Sequence, residues 1–411
     1  MSSALRLLID HPRLFHWDDG LDRADYIEAR YTVGSHLDGE ATAVAMAMEQ
    51  SAAITAIRGY VAPDALMRES TVRVLSVEAV AGSAASDIAA CEGDPAQLDP
   101  ARARLWRIVL AIPLRLLPAK PTQLLNGAVG DLPRYGFITR FRLDALALPD
   151  RGFGPGPGFG VAGLRERFGV PRGPLLCRPQ RPAVGIDIAT MAGLNHDALL
   201  GGCHLVKDCE LQAFADDEAF ATHVRAMVAS RDAAADRAGE RKGYIANLIC
   251  EPDELAPRLQ VARDAGVDGV LLAPMLQGLG VLAWVAKQGG LPILAHPSVS
   301  ELITRHPGWG IAPALLNTIF ERYGADIVIA PGGYGDDGRP GEWPPHGATA
   351  PARALPLLQG GKQPAGLPGY RSAVGSDDFL LNVASWLDVH PAGIEAAARE
   401  FRAAIDARPP A

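Results

Sequence analysis

The chain has 411 residues, a formal net charge of -8, and 21% charged against 48% hydrophobic residues; this excludes a disordered chain and argues against a nucleic-acid surface. No apolar run approaches the roughly 20 residues of a membrane span, and the opening stretch, with Asp10, Asp18 and Asp19, lacks the basic and apolar regions of a signal peptide. Five cysteines (Cys91, Cys177, Cys203, Cys209 and Cys250) show no CxxC spacing, so reduced thiols in the cytoplasm and small-molecule or protein partners are expected.

Residues 1–150 read as a small α+β domain. β-like alternation over 26–32, 70–79, 106–114 and 135–146 is interleaved with helical patterns at 40–53 and 122–128. The Gly- and Pro-rich stretch 149–160 marks a boundary. In 151–411, apolar runs at 174–177, 204–206, 244–249, 270–273, 291–295, 327–330, 365–367 and 379–383 alternate with helical patterns at 190–200, 218–236, 255–265, 279–287, 312–323 and 350–358, with a last helix at 393–407. This is the pattern of a (β/α)8 barrel whose site lies at the C-terminal ends of the strands. Only about ten residues separate the seventh and eighth runs, fewer than a crossover helix needs. The seventh helix is therefore expected to shrink to a turn, its place covered by a partner subunit.

Charged side chains placed directly after a buried strand need partners. The segment Gly201 to Glu210, Gly-Gly-Cys-His-Leu-Val-Lys-Asp-Cys-Glu, ends in such a cluster. It resembles the Gly-Gly-x-x-x-x-Lys-Asp-Asp-Glu motif of the RuBisCO large-subunit superfamily. Similarity of this kind runs over nearly the whole chain, which is identified as a RuBisCO-like protein of the non-carboxylating type IV group. The resemblance implies a ferredoxin-like α+β domain followed by the barrel. It also implies Mg²⁺ held by a carbamylated Lys207 with Glu210, but Cys209 stands in place of the motif's second Asp. A thiol is a poor Mg²⁺ ligand and favours a soft metal such as Zn²⁺. Lys207 is also open to other readings: a free base, a Schiff-base amine or a structural ion pair.

The remaining site residues follow from the same resemblance. Arg178, in Pro-Leu-Leu-Cys-Arg-Pro (174–179), replaces a family Lys that acts as base; an arginine there is a cation that can hold a phosphate or enediolate oxygen. Asn247 and His296 match polar residues at strand ends. Glu49, in Ala-Met-Glu-Gln-Ser (47–51), and Asn126, in Leu-Leu-Asn-Gly-Ala-Val-Gly (124–130), resemble residues that reach the neighbouring subunit's site in an antiparallel homodimer. Gly332 and Gly333 lie in a Gly-rich loop that carries neither the family's His nor its mobile Lys, which excludes CO₂ fixation. Arg371 and Ser372 resemble the seventh-strand phosphate loop, and Ala384-Ser385-Trp386 replaces a Gly-rich phosphate cradle.

The implied function is enolisation, isomerisation or decarboxylation of a small keto-sugar or keto-acid, as its phosphate. The alternatives are a metal-independent enzyme in the same pocket and a non-catalytic dimeric homologue with a scaffold or regulatory role.

Overall fold

A computed structural model describes residues 13–51, 68–86, 88, 102–117, 120–149, 153–329 and 353–407. Two compact units emerge, one reaching to Gly154 and including Ser300–Leu316, the other comprising Pro155–Val299 and Asn317–Ala411.

The first unit is a five-stranded sheet. Its strands are β1 (Tyr26–Ser35), β2 (Arg73–Val80), β3 (Arg104–Pro113) and β4 (Ile138–Ala147), joined by β10 (Trp309–Ile311) from the middle of the later sequence. The order β10-β4-β1-β3-β2 contains the ferredoxin-like arrangement 4-1-3-2. β10 adds in parallel to the β4 edge, with Gly310 opposite Arg142. Gly310 has φ 98°, and a Cβ there would meet the Ile303 carbonyl oxygen at 1.8 Å, so only glycine lets this strand follow the helix Ser300–Thr304. The sequence reads 300–316 as part of the barrel; its backbone completes the first sheet instead.

The second unit is a closed parallel barrel of β5 (Leu175–Pro179), β6 (Leu205–Lys207), β7 (Gly243–Asn247), β8 (Gly269–Leu272), β9 (Ile293–Ala295), β11 (Ile327–Ile329), β12 (Leu355–Gln359) and β13 (Leu380–Asn382). Alternate residues point inward. Leu175, Cys177, Leu205, Ile245, Leu271, Leu294, Ile327, Leu355, Leu357 and Leu380 therefore form one buried core. The helix Gly160–Phe168 contributes Phe168 to this core; a Cβ on Gly243 would lie 2.5 Å from its ring. Each Gly-x-Asp junction ties a strand to its neighbour. Asp268 Oδ2 accepts from Tyr244 N at 2.9 Å, and Asp326 Oδ2 accepts from Ile293 N at 3.0 Å.

The barrel corrects the sequence reading at one place. The seventh strand is Leu355–Gln359, overlapping the stretch read as helix 350–358, whereas 365–367 forms the start of a helical segment continuing as Leu367–Val374. The seventh helix is thus present, and the expected gap for a partner to cover does not exist. Among the described residues no helix is long and apolar enough to cross a membrane.

Candidate active site

Four side chains from three strand ends converge at the C-terminal side of the barrel. Lys207 ends β6 and, like Leu205, points inward; its buried ammonium donates to the Asp208 carbonyl at 3.0 Å and lies 3.7 Å from Glu210 Oε2. His296 directly follows β9. Its Nε2 is 3.4 Å from Glu210 Oε2, and its Nδ1 is 2.9 Å from Ser298 Oγ. Arg181, two residues beyond β5, brings Nη2 to 3.6 Å from Glu210 Oε1. Glu210 is thus the hub, with a different partner on each side. The β-branched Val299 has φ 69°, a strained conformation of the kind that collects beside functional loops.

Burial pushes the Glu210 carboxyl up, but Lys207, His296, a backbone hydrogen bond and Arg181 together outweigh it and hold the group below its ordinary value. Burial, then the Lys207 charge, lowers His296 to about 4 against the pull of Glu210. At neutral pH the site therefore holds a carboxylate and an uncharged imidazole. Because the folded pKa of His296 lies below the unfolded value of about 6.5, the unfolded chain binds more protons between those two values. Stability is expected to fall by up to ~3 kcal/mol as pH drops from about 6.5 to 4. Urea titrations of His296→Gln should show a shallower loss over this window; an unchanged slope would assign the acid sensitivity elsewhere.

The residue after Lys207 points the other way, as strand alternation requires. Asp208 is fully buried, accepting from Tyr244 Oη at 2.7 Å, Asn247 N at 2.9 Å and His223 Nε2 at 3.0 Å. Gln212 donates to His223 Nδ1 at 3.3 Å, and Asn247 Nδ2 donates to the Gln212 carbonyl at 2.9 Å. This closed network fixes the turn 207–212 on which Glu210 rides. Asn247 is held within it, its Oδ1 also accepting from Ile249 N at 3.0 Å.

Several sequence expectations shift. Arg178 faces outward from β5, pairing with Asp388 at 2.9 Å and Asn195 at 3.1 Å; the guanidinium at the acidic hub belongs to Arg181. Arg371 and Ser372 lie on the helix Leu367–Val374, and Arg371 is bonded to Asp377 and the Ile405 carbonyl. The loop that follows the seventh strand is Gly360-Gly361-Lys362, with φ 81° and 62° at the glycines and the Lys362 ammonium 5.0 Å over the Tyr370 ring. Consecutive glycines after a strand were a readable signal, lost because the strand itself was misplaced. Beside this loop, Asn382 Oδ1 is buried with no hydrogen-bond partner among the described residues. Ala384-Ser385-Trp386 enters a single helical turn, Ser385–Asp388. Gly332 and Gly333 lie outside the described residues. In the first unit, Glu49 and Asn126 line one recess of about 300 Å³, and Glu49 accepts from the Tyr135 hydroxyl.

The donor chemistry does not fit the implied Mg²⁺ centre. Cys209 is fully buried and presents sulfur where a hard cation takes oxygen. Both oxygens of Glu210 already face cations. Among the described residues no three His, Cys, Asp or Glu side chains are grouped to hold a metal, and Zn²⁺ fares no better.

A parallel eight-stranded barrel preceded by a ferredoxin-like sheet, with Lys-x-x-Glu at the second strand's end, defines the RuBisCO architecture. No protein-family model matches the chain. It is 33% identical over 316 residues, 74% of its length and 76% of the relative's, to a 2,3-diketo-5-methylthiopentyl-1-phosphate enolase of Geobacillus thermodenitrificans. A rubisco-like protein from Alicyclobacillus acidocaldarius superimposes with a TM-score of 0.77 at 27% identity over 93% of both chains. One from Burkholderia fungorum gives 0.80 at 23% identity over 93% of both, a likeness of fold. The chain belongs to the RuBisCO-like protein family.

Proposed function

We propose that this chain is a non-carboxylating enzyme that enolises a small phosphorylated keto-sugar or keto-acid, the first step of an isomerisation or decarboxylation. The observation that carries the reading is the Glu210 carboxyl group set at the barrel mouth between Lys207 at 3.7 Å and His296 at 3.4 Å. Glu210 takes the proton from the carbon beside the carbonyl. The C–H electron pair becomes the C=C bond, and the carbonyl oxygen becomes an enolate that Lys207 stabilises. When substrate draws the more exposed Arg181 guanidinium away, the carboxylate loses a partner and becomes a stronger base. His296 hydrogen-bonds a substrate hydroxyl, and Asn382 Oδ1 accepts from another.

The amides of Gly360 and Gly361 form a concave anion site for the phosphate. Gly361→Val is expected to raise KM for phosphorylated substrates about tenfold or more, by crowding that approach, while kcat changes little. A parallel rise with the unphosphorylated sugar would remove the phosphate assignment.

The substrate class is tested by ¹H NMR in D₂O, using the diketo phosphate acted on by the Geobacillus relative and a panel of pentulose phosphates. Deuterium should enter at the carbon next to the carbonyl. A folded protein that exchanges none of them would sink the reading. We further propose a cytoplasmic homodimer in which Glu49 and Asn126 of one copy serve the barrel of the other. The four described cysteines are free thiols, and an archaeal Rubisco of the same fold is dimeric.

A further inference from the structure

We infer that Arg181, together with Lys207, takes the place of a divalent cation, so that the site holds its enolate oxygen on protein charges alone. This rests on the enolising reading of the site and deepens it.

Three observations carry it. Each oxygen of Glu210 has its own cation, Arg181 at 3.6 Å on Oε1 and Lys207 at 3.7 Å on Oε2. Both carboxylate oxygens are thus already set against a protein cation. The neighbouring donor is the buried thiol of Cys209 rather than a carboxylate, and a hard cation is not held by it. Finally, Lys207 and Arg181 set two cations against the single carboxylate of Glu210, an excess of one positive charge. A divalent cation held by a lysine carbamate and Glu210, beside Arg181, would carry the same excess. The polypeptide therefore supplies without a metal what the metal would bring.

The two cations divide the work by burial. Lys207 is sealed beneath the site, whereas the Arg181 side chain is 51% exposed at its mouth. Arg181 can leave Glu210 for an incoming substrate, and its planar fork offers two parallel N–H groups to two adjacent oxygens. A guanidinium placed so can clasp two vicinal oxygens of the substrate as a chelating ion would.

The test uses the whole protein, stripped with EDTA. Mg²⁺ titration calorimetry in bicarbonate buffer and ¹³C NMR with ¹³C-bicarbonate are run on the wild type and on the Arg181→Ala/Cys209→Asp double variant. Deuterium exchange is followed in EDTA for wild type, Arg181→Ala and Arg181→Lys. The wild type should bind no Mg²⁺ at millimolar concentration and show no carbamate resonance, while the double variant gains one Mg²⁺ per chain. Exchange should survive EDTA, fall about a hundredfold in Arg181→Ala, and recover in part in Arg181→Lys or with added guanidinium ion. One Mg²⁺ per wild-type chain with a carbamate signal, or exchange abolished by EDTA, overturns the inference. If no keto-phosphate exchanges in any form, the enolising reading fails, and the binding and carbamate arms still decide whether Arg181 fills the cation's place.

Discussion

Glu210→Gln is expected to lower the rate of solvent deuterium exchange by about a thousandfold, the scale of a lost general base, with the fold intact. The substitution is nearly isosteric, but an amide cannot take up a proton. It also leaves Lys207 and Arg181 without the carboxylate that now lies within 3.7 Å of both. Two like charges then share the barrel mouth, so the variant should bind anionic substrate at least as tightly as wild type while turning it over poorly. Separate kcat and KM measurements read this split. If kcat stays within a few fold of wild type, the proton acceptor is another group, and Lys207 in its uncharged form becomes the first candidate.

Asp208→Ala should be the most damaging single change to stability near the site, costing about 3–5 kcal/mol. The carboxylate lies wholly inside the protein and serves three donors, Tyr244 Oη, Asn247 N and His223 Nε2. Truncation strands all three, and buried donors left without acceptors carry their full desolvation cost. Asp208→Asn keeps one acceptor oxygen and should lose less. Chemical denaturation of both variants checks the ranking. Equal, small losses would show that water replaces the carboxylate and that the network does not hold the Glu210 turn.

The barrel was legible in the sequence wherever an apolar run was flanked by turn residues and an amphipathic stretch. Ala-Gly-Val-Asp-Gly-Val-Leu-Leu at 265–272 shows why: glycine ends the helix, the aspartate accepts from the preceding strand's amide, and the apolar run fills the core. The seventh strand escaped because Leu-Pro-Leu-Leu-Gln is short and carries Pro356, and an apolar run of that length suits a helix end equally well. The proline is tolerated because pairing with β13 begins only at Leu357.

For the site, the Lys-Asp-Cys-Glu spacing placed Lys207 and Glu210 together, and His296 followed from its position after a strand. The arginine could not be assigned in the same way. Arg178 and Arg181 lie three residues apart, and which one turns inward depends on strand parity, which a shift of one residue inverts. Cys177 in the core fixes that parity and sends Arg178 outward to Asp388. The Asp208 network was not legible at all, because His223, Gln212 and Tyr244 come from three separate segments with no shared motif.

The strand Trp309–Ile311 completes a sheet whose other members lie before residue 148. As the ribosome delivers the chain, that sheet must wait with its β4 flank open until five barrel strands have been translated. An unpaired flank is a template for pairing with other nascent chains. A gene cut at the Gly-Pro linker would make this interval permanent, so the two halves of this protein cannot be treated as interchangeable cassettes in evolution or in engineering.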